Sequence, residues 1–212
     1  MEESRESEPD ESIENGSHEG KSLEERIDYS LEQKEEKDSK RTINGAIGLL
    51  YHYDSESKIL EVIWEQKPSS YAIKSETGKL QPPGGAIDTT DESSLYALAR
   101  EFREEIEDER AKRIAIKALK SQTQIPYVLP SIVDGQPAKT YLYLVEIESK
   151  DDWKALKSSD FTDDAGPKRV FRHYEIGGLP DNYFAWGFGP ELKGIIGKIV
   201  DSKIPNSSIY LH

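Results

Sequence analysis

Three glutamates, Glu101, Glu104 and Glu105, sit close together in a stretch whose apolar residues recur at helical spacing. One turn separates Glu101 from Glu105, and Glu104 lies beside them. Like charges at this spacing weaken a helix by roughly a few tenths of a kcal/mol per pair. A hard divalent cation removes that penalty. Mg2+ takes carboxylate and water oxygens, and substrate phosphates often complete its shell. The cluster therefore points to a metal site that handles phosphate esters. Taken alone, the same pattern also describes a solvated helix face.

The elements around the cluster decide between these readings. Residues 91–107 are expected to be an amphipathic helix, with Leu95, Leu98, Phe102 and Ile106 as its buried stripe. Thr89 followed by Glu92 resembles a capping box, and Thr90 or Asp91 is an alternative cap. Ahead of the helix stands Pro82-Pro83-Gly84-Gly85. Two prolines fix the approach and two glycines permit a bend. A glycine there lets backbone come close to a metal or phosphate, and the Gly85 carbonyl is a candidate neutral ligand.

At these residues the chain resembles the Nudix hydrolase family, whose box reads G-x5-E-x7-R-E-U-x-E-E-x-G-U, with U bulky and apolar. Gly85, Glu92, Arg100, Glu101, Phe102, Glu104 and Glu105 follow that order, and Arg100 to Glu105 match R-E-U-x-E-E without a gap. Two features depart from it. One extra residue lies between Gly85 and Glu92, and Glu107 and Asp108 replace the late glycine and the apolar residue after it. Gln66-Lys67 and Trp186-Gly187 resemble dipeptides that many members carry before the box and before the last helix.

The resemblance implies an α+β domain with a Nudix-like α/β/α sandwich and a mixed central sheet. It implies a pyrophosphohydrolase that acts on a nucleoside diphosphate linked to another group, with Mg2+ as cofactor and Mn2+ as the alternative. Glu104 and Glu105 would be the main metal ligands, with Glu101 either a ligand or the base that prepares water. Glu92 and Arg100 would form an ion pair supporting the box. Lys67 and Lys79 are candidates for contacting substrate phosphates, although exposed lysines are usually solvated. Asp163, Asp164 and Glu175 are candidates for a further acid. Trp186, Tyr183 and Phe184 are candidates for stacking on a base, with core packing the blander reading. His173 reads as part of a strand face.

The rest of the sequence sets limits. The formal net charge is -13, and residues 1–40 hold 15 acidic and 6 basic side chains. Such a segment buries too little apolar surface to offset its ordering entropy, so 1–41 is expected to be an acidic, disordered tail. Leu23, Ile27 and Leu31 leave room for a helix over 22–37 that docks on a partner. The domain is expected over 42–205, followed by a tail at 206–212. The acidity argues against strong nucleic-acid binding, because repulsion from phosphates would dominate, and favours a small nucleotide as the ligand. There is no cysteine, no apolar run long enough to span a bilayer, and no secretory signal pattern at the N-terminus. A cytoplasmic protein is the resulting expectation, and the resemblance to the family adds Mg2+ dependence and leaves room for a homodimer. A Nudix-fold module that binds a nucleotide or an RNA end without hydrolysis is the alternative.

The remaining elements are read from pattern. Strands are expected over 43–53, 58–66, 113–120, 125–133, 139–148 and 168–176, a short helical turn over 151–157, and a last helix from Pro190 to about Ser202.

Overall fold

A computed structural model describes residues 44–121, 125–133, 136–162 and 166–203. The acidic tail, its proposed helix, and Asp163 and Asp164 lie outside the described residues.

Strands β1 (Gly45–Asp54) and β2 (Ile59–Gln66) pair antiparallel. Both carry long apolar runs, and both are covered on two faces. In β2, Leu60, Val62 and Trp64 point to one side, while Ile63 joins the core on the other. Two short strands follow, β3 (Leu80–Gln81) on β2 and β4 (Gly84–Ala86) on β1. Beyond β1 come β6 (Gln136–Glu146), which runs parallel to it, and β5 (Tyr127–Val133), antiparallel to β6. Strand β7 (Lys168–Arg172) pairs antiparallel with β2. The main order is β3-β2-β1-β6-β5, a mixed sheet of seven strands.

Helices cover both faces. Helices α1 (Ser94–Glu105), α2 (Glu109–Ser121) and α3 (Lys150–Ser158) accompany one core, built around Leu50, Ile63, Leu98, Phe102 and Trp153. Helix α5 (Gly189–Lys203) covers the other, built around Leu49, Trp64, Phe184, Phe188 and Leu192. The short helix α4 (His173–Gly178) links β7 to this layer. The result is the expected α/β/α sandwich. In β1, Gly48 makes room for α1: a Cβ at that position would lie 2.5 Å from Cζ of Phe102.

Two elements differ from the sequence reading. Residues 113–120 belong to α2 and not to a strand. Ala111, Ala115, Ile116 and Leu119 make a buried helical stripe, and alanine favours a helix more than any other residue. The short alternation of apolar residues there followed from two overlapping helical rows. Asp108 caps this helix by accepting the Ala111 N–H at 2.8 Å. The strand expected over 168–176 ends at Arg172, where the Glu175 carboxylate accepts the Arg172 N–H at 2.7 Å and starts α4.

Candidate active site

Helix α1 supplies the acids. Its stripe of Ala97, Leu98, Phe102 and Ile106 is buried against the sheet, which fixes the rotation of the helix and hence the direction of its other residues. Ser93 caps it, its hydroxyl accepting the Tyr96 N–H; Thr89, Thr90 and Asp91 do not take that role. Glu101 and Glu105 are buried at the inner end, whereas the Glu104 side chain retains 30 % exposure.

The two glycines of the Pro-Pro-Gly-Gly turn meet these acids. The Gly84 N–H donates to Glu105 Oε2 at 3.0 Å. Gly84 has φ of +133°, and a Cβ there would stand 2.3 Å from the Ala46 carbonyl oxygen. Only glycine fits both conditions. At Gly85 an added Cβ would lie 2.6 Å from Glu101 Oε2. Its missing side chain is the space that the Glu101 carboxylate occupies.

Strand β2 adds a group that the sequence reading missed. Glu65 is fully buried and faces the same site. Burial, then the charges of Glu65 and Glu101, push the Glu105 carboxyl well above the usual carboxylate range. Burial likewise raises Glu65 against the opposing pull of Lys67. Lys67 itself is buried and hydrogen-bonded to Glu65 Oε1. Burial would lower its pKa, but Glu65 and Tyr71 outweigh it and raise the value. The signal available in the sequence was slight: an acid in an otherwise apolar strand, with a lysine two residues on, just past its end.

From Glu65 the polar contacts continue outward. Gln81 Nε2 donates to Glu65 Oε1 at 3.2 Å and to the Gly84 carbonyl at 3.0 Å. Gln81 Oε1 accepts from Trp186 Nε1 at 2.7 Å. Trp186 sits at φ of +59°, and its N–H is held by Glu76 Oε2 at 2.7 Å. Its ring meets Tyr71 edge-on, with centroids 6.5 Å apart. Of the aromatic residues singled out from the sequence, Phe184 is a core residue packed on Trp64, Tyr183 is exposed, and Trp186 borders the site.

The other sequence candidates divide. Lys67 is in the site, paired with Glu65, while Lys79 lies on Glu76 at 3.2 Å. Glu175 is used at the start of α4, beyond Arg172, which pairs across the sheet with Glu61 and not with Glu65. His173 accepts the Leu60 N–H through Nδ1 at 3.3 Å.

Arg100 is 1 % exposed and organises the outer side of the cluster. It reaches Asp91 through two bonds, Nε to Oδ1 at 3.2 Å and Nη2 to Oδ2 at 3.0 Å. Nη2 also donates to the Ala86 carbonyl at 2.9 Å. Nη1 reaches Glu101 Oε1 at 2.8 Å and Glu104 Oε2 at 3.0 Å. Burial alone would lower its pKa, but these acids, Asp91 first, raise it. The sequence points to Glu92 as the supporting acid; the structure puts Asp91 there, with Glu92 exposed beside it.

Comparison with solved structures places this architecture. The NUDIX domain of Shewanella oneidensis NrtR, complexed with ADP ribose, matches at a TM-score of 0.50 and 14 % identity, over 80 % of this chain and 97 % of that one. A MutT/nudix family protein from Enterococcus faecalis matches at a TM-score of 0.50 and 14 % identity, over 85 % of this chain and 75 % of that one. The fold is that of the Nudix proteins. No protein-family model matches the sequence, and comparison with curated sequences returns no relative.

Five residues separate Gly85 from Asp91, the acid that pairs with Arg100. The end of α1 is held by tertiary contacts. Ile106 leaves α1 with extended backbone and forms a bridge with Phe161. The Thr162 N–H donates to the Glu105 carbonyl at 2.8 Å, and the Glu107 N–H donates to the Asp160 carbonyl at 3.0 Å. A neighbouring segment supplies the stop that a left-handed glycine supplies elsewhere.

The acids suit a hard cation by donor type: Glu65, Glu101 and Glu105 bring only oxygens. Among the described residues no three acids stand in ligand geometry around one point. Lys67 and Arg100 hold the carboxylates in this arrangement.

Proposed function

We propose that this protein is a metal-dependent hydrolase that cleaves a pyrophosphate bond in a nucleoside diphosphate linked to another group. One observation carries the reading: the carboxylates of Glu101 and Glu105 are buried together against the paired glycines of β4, one as a neighbour of Gly85 and the other bonded to Gly84. Burying like charges together is costly unless a cation or a proton compensates them. The Nudix fold supports the same assignment, and ADP ribose, bound by the Shewanella NUDIX domain, belongs to the proposed substrate class.

Glu101, Glu104 and Glu105 would hold Mg2+ or Mn2+, with the Gly85 carbonyl as a neutral partner. When bound, such an ion lowers the pKa of water and offsets charge on phosphate oxygens. One carboxylate of the cluster takes the proton of the attacking water. An oxygen–phosphorus bond then forms, and the bridging phosphorus–oxygen bond breaks, with the leaving phosphate carrying away the electron pair. Arg100 keeps Glu101 and Glu104 aligned, while Asp91 anchors Arg100. Lys67 is placed to meet substrate phosphate only after it leaves Glu65.

The test is a panel of nucleoside diphosphate derivatives with Mg2+, reading released phosphates and monophosphates, with Glu104→Gln alongside. Hydrolysis by the native chain is expected, and the variant should lose at least about a hundredfold in rate, the order seen when a charge-stabilising group is removed, with its fold intact. Near-native activity in the variant would sink the site assignment.

A second reading has an observation of its own. Lys67 and Arg100 already neutralise the acids, as a nucleotide-binding module without metal would require. Metal-independent binding of one panel member, with no turnover of any, would establish that reading instead.

A further inference from the structure

Within the metal-dependent reading, one buried acid outside the box has no assigned task. Glu65 lies on β2, 36 positions before Glu101 in the chain, and has no exposed surface. Its Oε1 is fully engaged by Lys67 and Gln81. Its Oε2 is buried and, among the described residues, receives no bond from a backbone or side-chain N–H. A buried carboxylate oxygen without such a bond is costly, so this atom calls for a positive partner. Glu105 is the group that faces it: the two carboxyls hydrogen-bond to each other, a contact that one shared proton must hold when no cation does. A cation between Glu65 and Glu105 would satisfy both.

We propose that Glu65 is a further ligand of the divalent cation, donated from β2, and that Lys67 is its built-in counter-ion, which competes with the metal for the same carboxylate. The pair is set up for exchange. Lys67 follows the end of β2, two residues from Glu65, and its ammonium reaches the carboxylate in the present backbone. Its Nζ also lies over the Tyr71 ring, 4.8 Å from the centroid. That contact gives the ammonium a second resting place on the Trp186 side, since a cation is attracted to an aromatic face. Gln81 holds Glu65 in place from its other side and is itself fixed by Trp186. The carboxylate therefore stays aimed at Glu105 while its cationic partner changes.

The test measures Mn2+ binding to the full chain by electron paramagnetic resonance, without substrate. Glu65→Gln should weaken binding by about tenfold or more, at least the loss that outer-shell changes cause. Lys67→Met should tighten it, because the competitor is gone. The double variant removes both charges at similar volume, which a buried pair tolerates far better than loss of one partner; it should bind as weakly as Glu65→Gln. A purely structural ion pair predicts the opposite: the double variant would bind Mn2+ like the native chain, and Lys67→Met would not bind more tightly. Either result overturns the proposal. Glu105→Gln separates it from the reading on which it rests. If Glu105→Gln weakens binding and Glu65→Gln does not, only the role of Glu65 falls. If the native chain binds no Mn2+, both fall.

Discussion

Arg100 and Asp91 are joined by two parallel contacts, at 3.2 and 3.0 Å, in a place where Arg100 is almost wholly removed from solvent. A guanidinium matches a carboxylate in this two-pronged geometry, and such pairs are stronger and more directional than single contacts. The pair ties the loop before α1 to the middle of the helix.

The pair sets the cost of two neighbouring substitutions apart. Asp91→Asn should destabilise the fold by about 2 kcal/mol, because charge-assisted bonds contribute roughly 1.5–3 kcal/mol. Glu92→Gln, on an exposed side chain, should stay within about 0.5 kcal/mol. Urea unfolding of both variants checks this, and equal losses would mean that Glu92 shares the support.

The paired glycines should fail in different ways. Gly84→Ala places a Cβ against the Ala46 carbonyl and forces a positive φ on alanine, so a loss of about 1–3 kcal/mol is expected. Gly85→Ala meets only the end of the Glu101 side chain. Its melting temperature should change little, whereas hydrolysis should fall by about tenfold or more as Glu101 is pushed aside, on the scale that small misplacements cost a catalytic group. Thermal unfolding and kcat, measured side by side, decide it; a Gly85→Ala variant with full activity would remove Glu101 from the site.

His173 gives the fold a pH dependence away from the acids. Burial holds its pKa below the usual histidine value, and its Nδ1 accepts the Leu60 N–H, which requires that nitrogen to be unprotonated. Below about pH 6.5, the value for a free histidine, the unfolded chain therefore binds more protons than the folded one. Stability is complete above that pH and declines as the pH falls toward the lowered folded value. His173→Asn should flatten the fall in melting temperature between about pH 7 and 5. An unchanged slope would show that His173 contributes nothing to it.

The sequence made the sheet-facing stripe of α1 legible because Leu98, Phe102 and Ile106 repeat at helical spacing, and this rotation follows from the helix alone. The run Arg100 to Glu105 was legible only through its resemblance to the Nudix box. Glu65 was not, because its meaning depends on its meeting Glu105, a contact between residues far apart in the chain. Asp91 was passed over for Glu92 because the choice rests on which way a turn points, and that turn is set by the Asp88–Asp91 backbone bond. Helix α2 was misread because its apolar residues satisfy a short alternation as well as a helical stripe, and only packing against α3 and β6 separates the two. Asp163 and Asp164 lie outside the described residues, so their candidacy rests on the sequence alone.

Helix α1 ends where the chain around Phe161 meets it, and this has a consequence for the order of assembly. A glycine stop is local and is in place as soon as the helix forms. Here the Glu105 carbonyl waits for the Thr162 N–H, and Ile106 waits for Phe161. Closing a loop of that length must precede the contacts that reward it. A chain emerging during synthesis would therefore carry the complete run of acids long before their last turn was anchored, and the site would mature only when the second half of the domain docked.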